Sequence, residues 1–386
     1  MKSLFTLLLI TQLSTFSFSQ DSTSSLSFLF MGDIMQHDRQ LIGAYDSTTK
    51  RYDYNHYYEY VTPIIQNADV AIANLEVTLA GRPYQGYPQF SAPEELAIAS
   101  KKSGIDYLTT ANNHSNDRST LGLERTIDVL DSLDIPHFGT YKTQQSRDTT
   151  YPLLIEKKGI RVALLNYTYG TNGLIAEEPN IVNMIDEDLM IADIKKAQGM
   201  NVDKIIACMH WGKEYLTNPD DYQKKWANFL MKHGVDIVIG GHPHYIQPIE
   251  YYPPNSYDTV KKERLIIYSL GNFVSGQRAT RKDGGSMLQF TLQKDEKGEV
   301  NIISKGYYLN WIWVPVVNGQ KKYTICPVSL FEETDLKKKF SDAELTKFNM
   351  FKTNSESLYI NDNKNVNQYI FKPETTSWEV EERKIK

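Results

Sequence analysis

Six short apolar runs in this 386-residue chain each stop at side chains able to bind a metal or move a proton. The run 26–31 leads into Gly32-Asp33, the run through Ala73 into Asn74-Leu75-Glu76, and 107–110 into Asn112-Asn113-His114. Further on, 205–209 leads into His210-Trp211-Gly212, 237–239 into Gly240-Gly241-His242-Pro243-His244, and 265–270 into Gly271-Asn272. One polar residue after a strand is usually a cap or a turn. Six in succession, holding four of the eight histidines, are hard to attribute to turns. Imidazoles mixed with carboxylate and amide oxygens suit zinc, manganese or iron, whereas an all-oxygen set would suit magnesium or calcium. A metal so held polarises a substrate oxygen and lowers the pKa of bound water, which is hydrolytic chemistry. The neighbouring glycines let backbone approach such a centre closely.

The elements that must position these groups follow from the same pattern. The apolar runs are of strand length and several lack alternation, as expected for strands buried on both faces. Helix-like segments lie between them at 57–65, 93–102, 121–133, 187–197 and 222–232. Pro93 suits a first helical turn, and Gly104 and Gly234 suit helix ends. Alternation of strand and helix predicts an α/β fold. In an open α/β sheet, ligands bind beyond the carboxyl ends of the strands, so the six polar termini converge on one rim. From Ser286 the texture changes to consecutive strands at 287–292, 301–304 and 307–317, with Asn318-Gly319 as a turn signal. Beyond Phe331 the chain is polar and Lys/Glu-rich, with a helix-like stretch at 342–351, and is read as a peripheral extension over 331–386.

With 41% hydrophobic and 23% charged residues, the composition is that of a globular protein with ample core. A formal net charge of −5 provides no basic field for nucleic acid, so any anionic substrate needs a local basic patch. Residues 1–20 read as a signal peptide: Lys2, a short apolar stretch, then small residues at 17–19. That stretch is too short to span a bilayer. The expectation is export to the periplasm, cell surface or medium, compatible with peripheral membrane association, and a main domain over 21–330. Cys208 and Cys326 are too few for a disulfide framework, and Cys208 sits in a strand run as a buried thiol.

The ordered set of motifs resembles the CapA family of capsule-synthesis (PgsA-type, poly-γ-glutamate) proteins, within the calcineurin-like metallophosphatase superfamily. The matching pieces are GDIM at 32–35, NLE at 74–76, ANNHSND at 111–117, HWGKEY at 210–215, GGHPHYIQ at 240–247 and YSLGNF at 268–273. The resemblance implies a four-layer fold, a β-sandwich between helices, with a C-terminal β-rich extension. It implies metal ligands at Asp33, Glu76, Asn113, His210, His242 and His244, with His114 as the adjacent catalytic histidine. Two departures stand out. The family's Asp-x-His is here Asp33-Ile34-Met35, so the ion bound by Asp33 and His244 lacks an imidazole, and Glu76 is one methylene longer than the usual bridging aspartate. The implied arrangement is one tight divalent site from Glu76, Asn113, His210 and His242, with a second, depleted one.

Several residues have two readings. His37 is either the missing imidazole or a loop histidine, with the second favoured. Asp117 is either an orienter of His114 or a helix N-cap. Asn272 bonds a substrate oxygen or holds a turn. Arg39, Arg118, Lys213 and Arg278 fall in or just after the rim loops and together make an anion site, though each singly reads as surface charge. The expected function is metal-dependent hydrolysis of a phosphoester or amide bond in capsule or poly-γ-glutamate synthesis or processing, on an anionic polymer or phosphoester, alone or with the capsule machinery. The alternative is a non-enzymatic assembly or polymer-anchoring factor.

Overall fold

The computed structural model describes residues 24–255 and 262–381, so the predicted signal peptide lies outside the described residues. Eleven strands carry the argument: β1 (Ser25–Ile34), β2 (Val70–Leu75), β3 (Tyr107–Thr109), β4 (Ile160–Thr168), β5 (Lys204–His210), β6 (Ile237–Gly241), β7 (Arg264–Ile267), β8 (Asn272–Val274), β9 (Gly284–Lys294), β10 (Val300–Trp313) and β11 (Asn367–Lys372). They form two large sheets. The ten-stranded sheet runs Ser377–Val380, β11, β10, β9, β1, β2, β3, His137–Phe138, with β8 also on β1 and Thr324–Pro327 on β10. The six-stranded sheet runs Ile249–Tyr252, β7, β6, β5, β4, Leu153–Lys157.

Within each sheet the strands that end in polar motifs are parallel: β1 with β2, β2 with β3, and β4 through β7. Their carboxyl ends therefore share one edge. β5 is buried at every residue, which explains a run without alternation. On β1 the period of two is visible instead. Leu26, Phe28 and Phe30 face the second sheet, and Phe28 stacks on Phe290 at 5.4 Å, while Leu29 and Met31 join a separate core on the other side.

Helices cover both outer faces. α1 (Glu95–Ser103) and α2 (Ser119–Ser132) contribute Leu96, Ala97 and Leu130 to the core outside the first sheet. α3 (Glu187–Gly199) and α4 (Asp221–His233) place Met190, Ile194, Trp226 and Leu230 against the second. The result is the four-layer sandwich that the motif order implied. α4 has a capping box in which Asp220 accepts from Gln223, and it ends at Gly234 with φ 105°, as Gly104 ends α1.

Three local expectations differ. The predicted helix 57–65 is broken into a 3-10 turn at Asn55–Tyr58 and a helix at Thr62–Gln66, because Pro63 lacks an amide and is accommodated only in a first turn. The predicted strands 301–304 and 307–317 are one strand, β10, followed by a tight hairpin in which Asn318 and Gly319 both have positive φ. The tail is not peripheral. α5 (Asp342–Asp362) buries Phe348, Phe351 and Tyr359 in the inter-sheet core, and β11 pairs with β10. The polar composition hid this, because few apolar residues on a long helix suffice when each fills a prepared site.

Candidate metal centre

Parallel pairing sets the first contacts. β1 and β2 place Asp33 opposite Asn74, and β1 and β8 place Asp33 opposite Asn272. Gly32 permits this approach, since a Cβ there would lie 2.0 Å from the Gly271 carbonyl oxygen. Asn74 then donates from Nδ2 to Asp33 Oδ1 at 2.8 Å, while its own Oδ1 accepts from Thr109 and Asn112. Glu76, one residue past β2, is fully buried beside Asp33.

The imidazoles come from the second sheet. His210 ends β5, and its Nε2 lies 2.8 Å from Asn113 Oδ1 and 3.4 Å from Glu76 Oε1. The loop after β6 carries His242 and His244, whose φ values of 94° and 55° are unusual for side-chain-bearing residues. Strain of this kind persists where surrounding structure enforces it. Rings of His210 and His242 are 4.9 Å apart. Asn272 spends its Nδ2 on Lys282 O and Gln277 Oε1, so its Oδ1 accepts from His244 Nδ1–H at 3.1 Å. That tautomer, assigned from the network, leaves the lone pair of His244 on Nε2, 3.9 Å from Glu76 Oε1. Asn272 therefore orients a histidine, and its amide is not free for a substrate.

Two groups of close ligand atoms result: Glu76 with His242 and His244, and Asp33 with Glu76 and His210. Glu76 belongs to both, the bridging position. The partition differs from the one implied by the resemblance, in which His210 and His242 shared an ion. A divalent metal fits these residues because some of their own buried atoms are unsatisfied. Both Glu76 oxygens and His242 Nδ1 are buried without a hydrogen-bond partner. A buried carboxylate with both oxygens orphaned, set beside a second buried carboxylate, is costly unless a cation joins them.

Protonation follows the same logic. Burial, reinforced by the neighbouring Asp33, pushes the Glu76 carboxyl well above the usual range. Burial also opposes ionisation of Asp33, but contact with His244 and the amide of Asn74 outweighs it and holds that carboxyl below the usual range. Burial pushes His210 down to about 3 and His242 well below its ordinary value, keeping both rings in the neutral form that ligates metals.

His114 stands beside this cluster. Its Nδ1 is 2.8 Å from Asp117 Oδ2, which also accepts the Phe90 N–H at 2.7 Å, and Phe90 packs edge-on against the ring at 4.6 Å. Helix α2 starts at Ser119, and its cap, Arg118, makes no side-chain bond to it, so the carboxylate of Asp117 serves His114 rather than the helix. His37 turns elsewhere: its Nδ1 accepts from the Gly276 N–H at 3.2 Å, and it joins neither ligand group.

Two of the four cations expected to bind an anion already have backbone partners. Arg118 donates to the Pro83 carbonyl and Arg278 to that of Ile312, while Arg39 and Lys213 are exposed and form no ion pair among the described residues. Trp211 is core, its indole N–H bound to Tyr268 O. Sequence reasoning named Asn74 within the NLE motif but gave no role to it, and it is the hub joining Asp33 to His210. The same reasoning passed over Asn172 on Asn113 and Tyr169 against His242, which lie outside every motif and offered no signal.

The family described as "Bacterial capsule synthesis protein PGA_cap" matches residues 27–277, the span that holds both ligand groups and His114. The chain is similar to the capsule biosynthesis protein CapA of Bacillus anthracis, 28% identical over 292 residues, covering 72% of this chain and 66% of that protein, just under two thirds. It is likewise similar to the PGA biosynthesis protein CapA of Bacillus subtilis (strain 168), 27% identical over 351 residues, covering 86% and 80%. Among solved structures, the NAD nucleotidase of Haemophilus influenzae aligns with a TM-score of 0.48 at 13% identity, over 86% of this chain and 67% of that one.

Proposed function

The chain belongs to the bacterial capsule synthesis protein family, and we propose that it is an exported, metal-dependent hydrolase that cleaves a phosphoester or amide bond in capsule or poly-γ-glutamate synthesis or processing. One observation carries this reading: orphaned buried donor atoms on Glu76 and His242 lie in one cluster with a separately oriented histidine, His114. Asp33, Glu76, Asn113, His210, His242 and His244 would hold divalent metal, which when bound would supply Lewis acidity to a substrate oxygen and lower the pKa of water. The chain's own residues do the rest. Asn74 and Asn272 hold Asp33 and His244 in place, and neutral imidazoles leave their lone pairs available. Asp117 fixes the His114 proton on Nδ1, so Nε2 is the atom that exchanges a proton with the leaving group. Phe90 limits rotation of that ring.

A second reading, a non-enzymatic assembly or polymer-anchoring factor, is favoured by one feature: Arg118 and Arg278 commit guanidinium donors to backbone carbonyls. Turnover decides between them. Full-length protein loaded with zinc, manganese or iron is assayed against phosphodiesters and against poly-γ-glutamate, beside metal-stripped protein. Metal-dependent release of product supports the hydrolase; no turnover by metal-saturated protein on either class rejects it in favour of the assembly factor. Export is tested by sequencing the N-terminus of the secreted or periplasmic protein, expected near Gln20 or Asp21.

A further inference from the structure

We propose that Glu214 is a further metal ligand, completing the group formed by Glu76, His242 and His244 from its solvent side. The inference rests on the metal-binding reading above. It starts from His244, whose Nδ1–H is bound to Asn272 and whose Nε2 therefore presents the lone pair. Two carboxylate oxygens stand at the same distance from that nitrogen: Glu76 Oε1 at 3.9 Å and Glu214 Oε1 at 3.9 Å. Donors held ~2.1 Å from one tetrahedral ion are roughly 3.4 Å apart, so both oxygens are within about half an ångström of coordinating distance.

The backbone holds Glu214 there. Its neighbour Tyr215 has φ 66° and donates its N–H to the Pro243 carbonyl at 2.8 Å. Pro243 lies between the two strained histidines, so the loop bearing Glu214 is tied to the loop bearing two ligands. Three side-chain-bearing residues with positive φ in one contact, Tyr215, His242 and His244, mark an enforced geometry. Tyr215 also lays its ring 6.2 Å from that of His244.

Charge points the same way. Among the described residues His244 is the one basic group within ion-pair distance of Glu214, and Glu214 is close enough for its charge to oppose ionisation of the buried Glu76. Two carboxylates gathered on one imidazole, one of them with both oxygens unpartnered, repel each other unless a cation joins them. The Glu214 side chain is 39% exposed while those of Glu76 and His244 are buried, so Glu214 closes the open side, where a substrate oxygen would displace it.

The test is metal binding by the full chain. Metal-free protein is titrated with zinc against a chromophoric chelator and with cobalt(II), read by its visible absorption. Glu214→Gln is expected to weaken zinc about 10–100-fold or more and to change the cobalt spectrum, with Glu214→Asp between it and wild type. Metal-free Glu214→Gln should melt with wild type, because the side chain is at the surface. Wild-type affinity and an unchanged cobalt spectrum in Glu214→Gln overturn the assignment while leaving the metal centre intact. Wild-type protein that takes up no metal overturns both.

Discussion

At the scale of the residue, the ligands and His114 separate by what their loss removes. His242→Ala or His210→Ala takes away an imidazole with no neighbour to replace it, so metal content measured by elemental analysis should fall together with activity. His114 is bound to Asp117 rather than to the ligand groups. His114→Ala should therefore keep its metal and lose roughly 10²–10⁴-fold in rate, the usual size of an acid–base contribution, with a smaller loss on substrates whose leaving group needs no proton. Metal loss in His114→Ala would make it a ligand instead. Glu76 yields a prediction about pH. Burial and Asp33 raise its folded-state pKa above the unfolded one, so in metal-free protein the folded state retains a proton that the unfolded state releases. Stability of the metal-free protein should accordingly fall as pH rises from the ordinary glutamate range toward the raised folded value. Glu76→Gln removes that penalty. Thermal melts in chelator at neutral pH should show the variant at least as stable as wild type, whereas with metal present wild type should melt higher. A metal-free variant that melts well below wild type at neutral pH contradicts this account.

At the scale of the element, the centre depends on two sheets presenting their carboxyl ends at one edge, and on backbones close enough for Asp33 to meet Asn74 and Asn272. Gly32 is where that closeness is tightest. Gly32→Ala sets a methyl 2.0 Å from the Gly271 carbonyl oxygen, which belongs to the opposing backbone and cannot swing aside. The strands must separate, at a cost typical of overpacking, about 1–3 kcal/mol. Asp33 and Asn272 move with them, so metal affinity should drop even though no ligand has been altered. A denaturant melt and a zinc titration on the same variant check both halves; normal affinity in a destabilised variant would mean that the edge tolerates the shift.

At the scale of the whole molecule, the tail belongs to the main core. Phe348 packs edge-on against Trp311 at 5.6 Å, Tyr359 bonds Ser286 through its hydroxyl at 2.7 Å, and Lys364 donates its backbone N–H to Ile249 of the second sheet at 2.9 Å. Helix α5 thus touches the β9–β10 hairpin and the following segment reaches the other sheet, closing one end of the sandwich. Phe348→Ala should cost about 3–5 kcal/mol, as for other fully buried aromatics. Removal of 332–386 should lower the melting temperature and the cooperativity of the entire domain rather than trim an appendage. Calorimetry on both proteins measures this, and a truncated chain that melts like wild type would return the tail to the periphery.

The sequence by itself determined the class of fold and most of the polar cluster. Buried parallel strands must be apolar throughout, and their carboxyl termini must share an edge, so polar groups placed one or two residues past each run were legible as a set. Motif order then named the family, which the match over residues 27–277 establishes. Only the tertiary structure decided how those groups divide. Glu76 joins both ligand groups because β2 ends beside Asp33, and Asn272 turns to His244 because its other amide atom is taken by Lys282 and Gln277. The partners of the rim arginines were equally invisible. Arg118 and Arg278 are close to the rim in sequence, but a guanidinium goes where backbone carbonyls accept it, and Pro83 and Ile312 lie away from it in the chain. Distances between loops are set by sheet packing, and no local pattern of residue types records them.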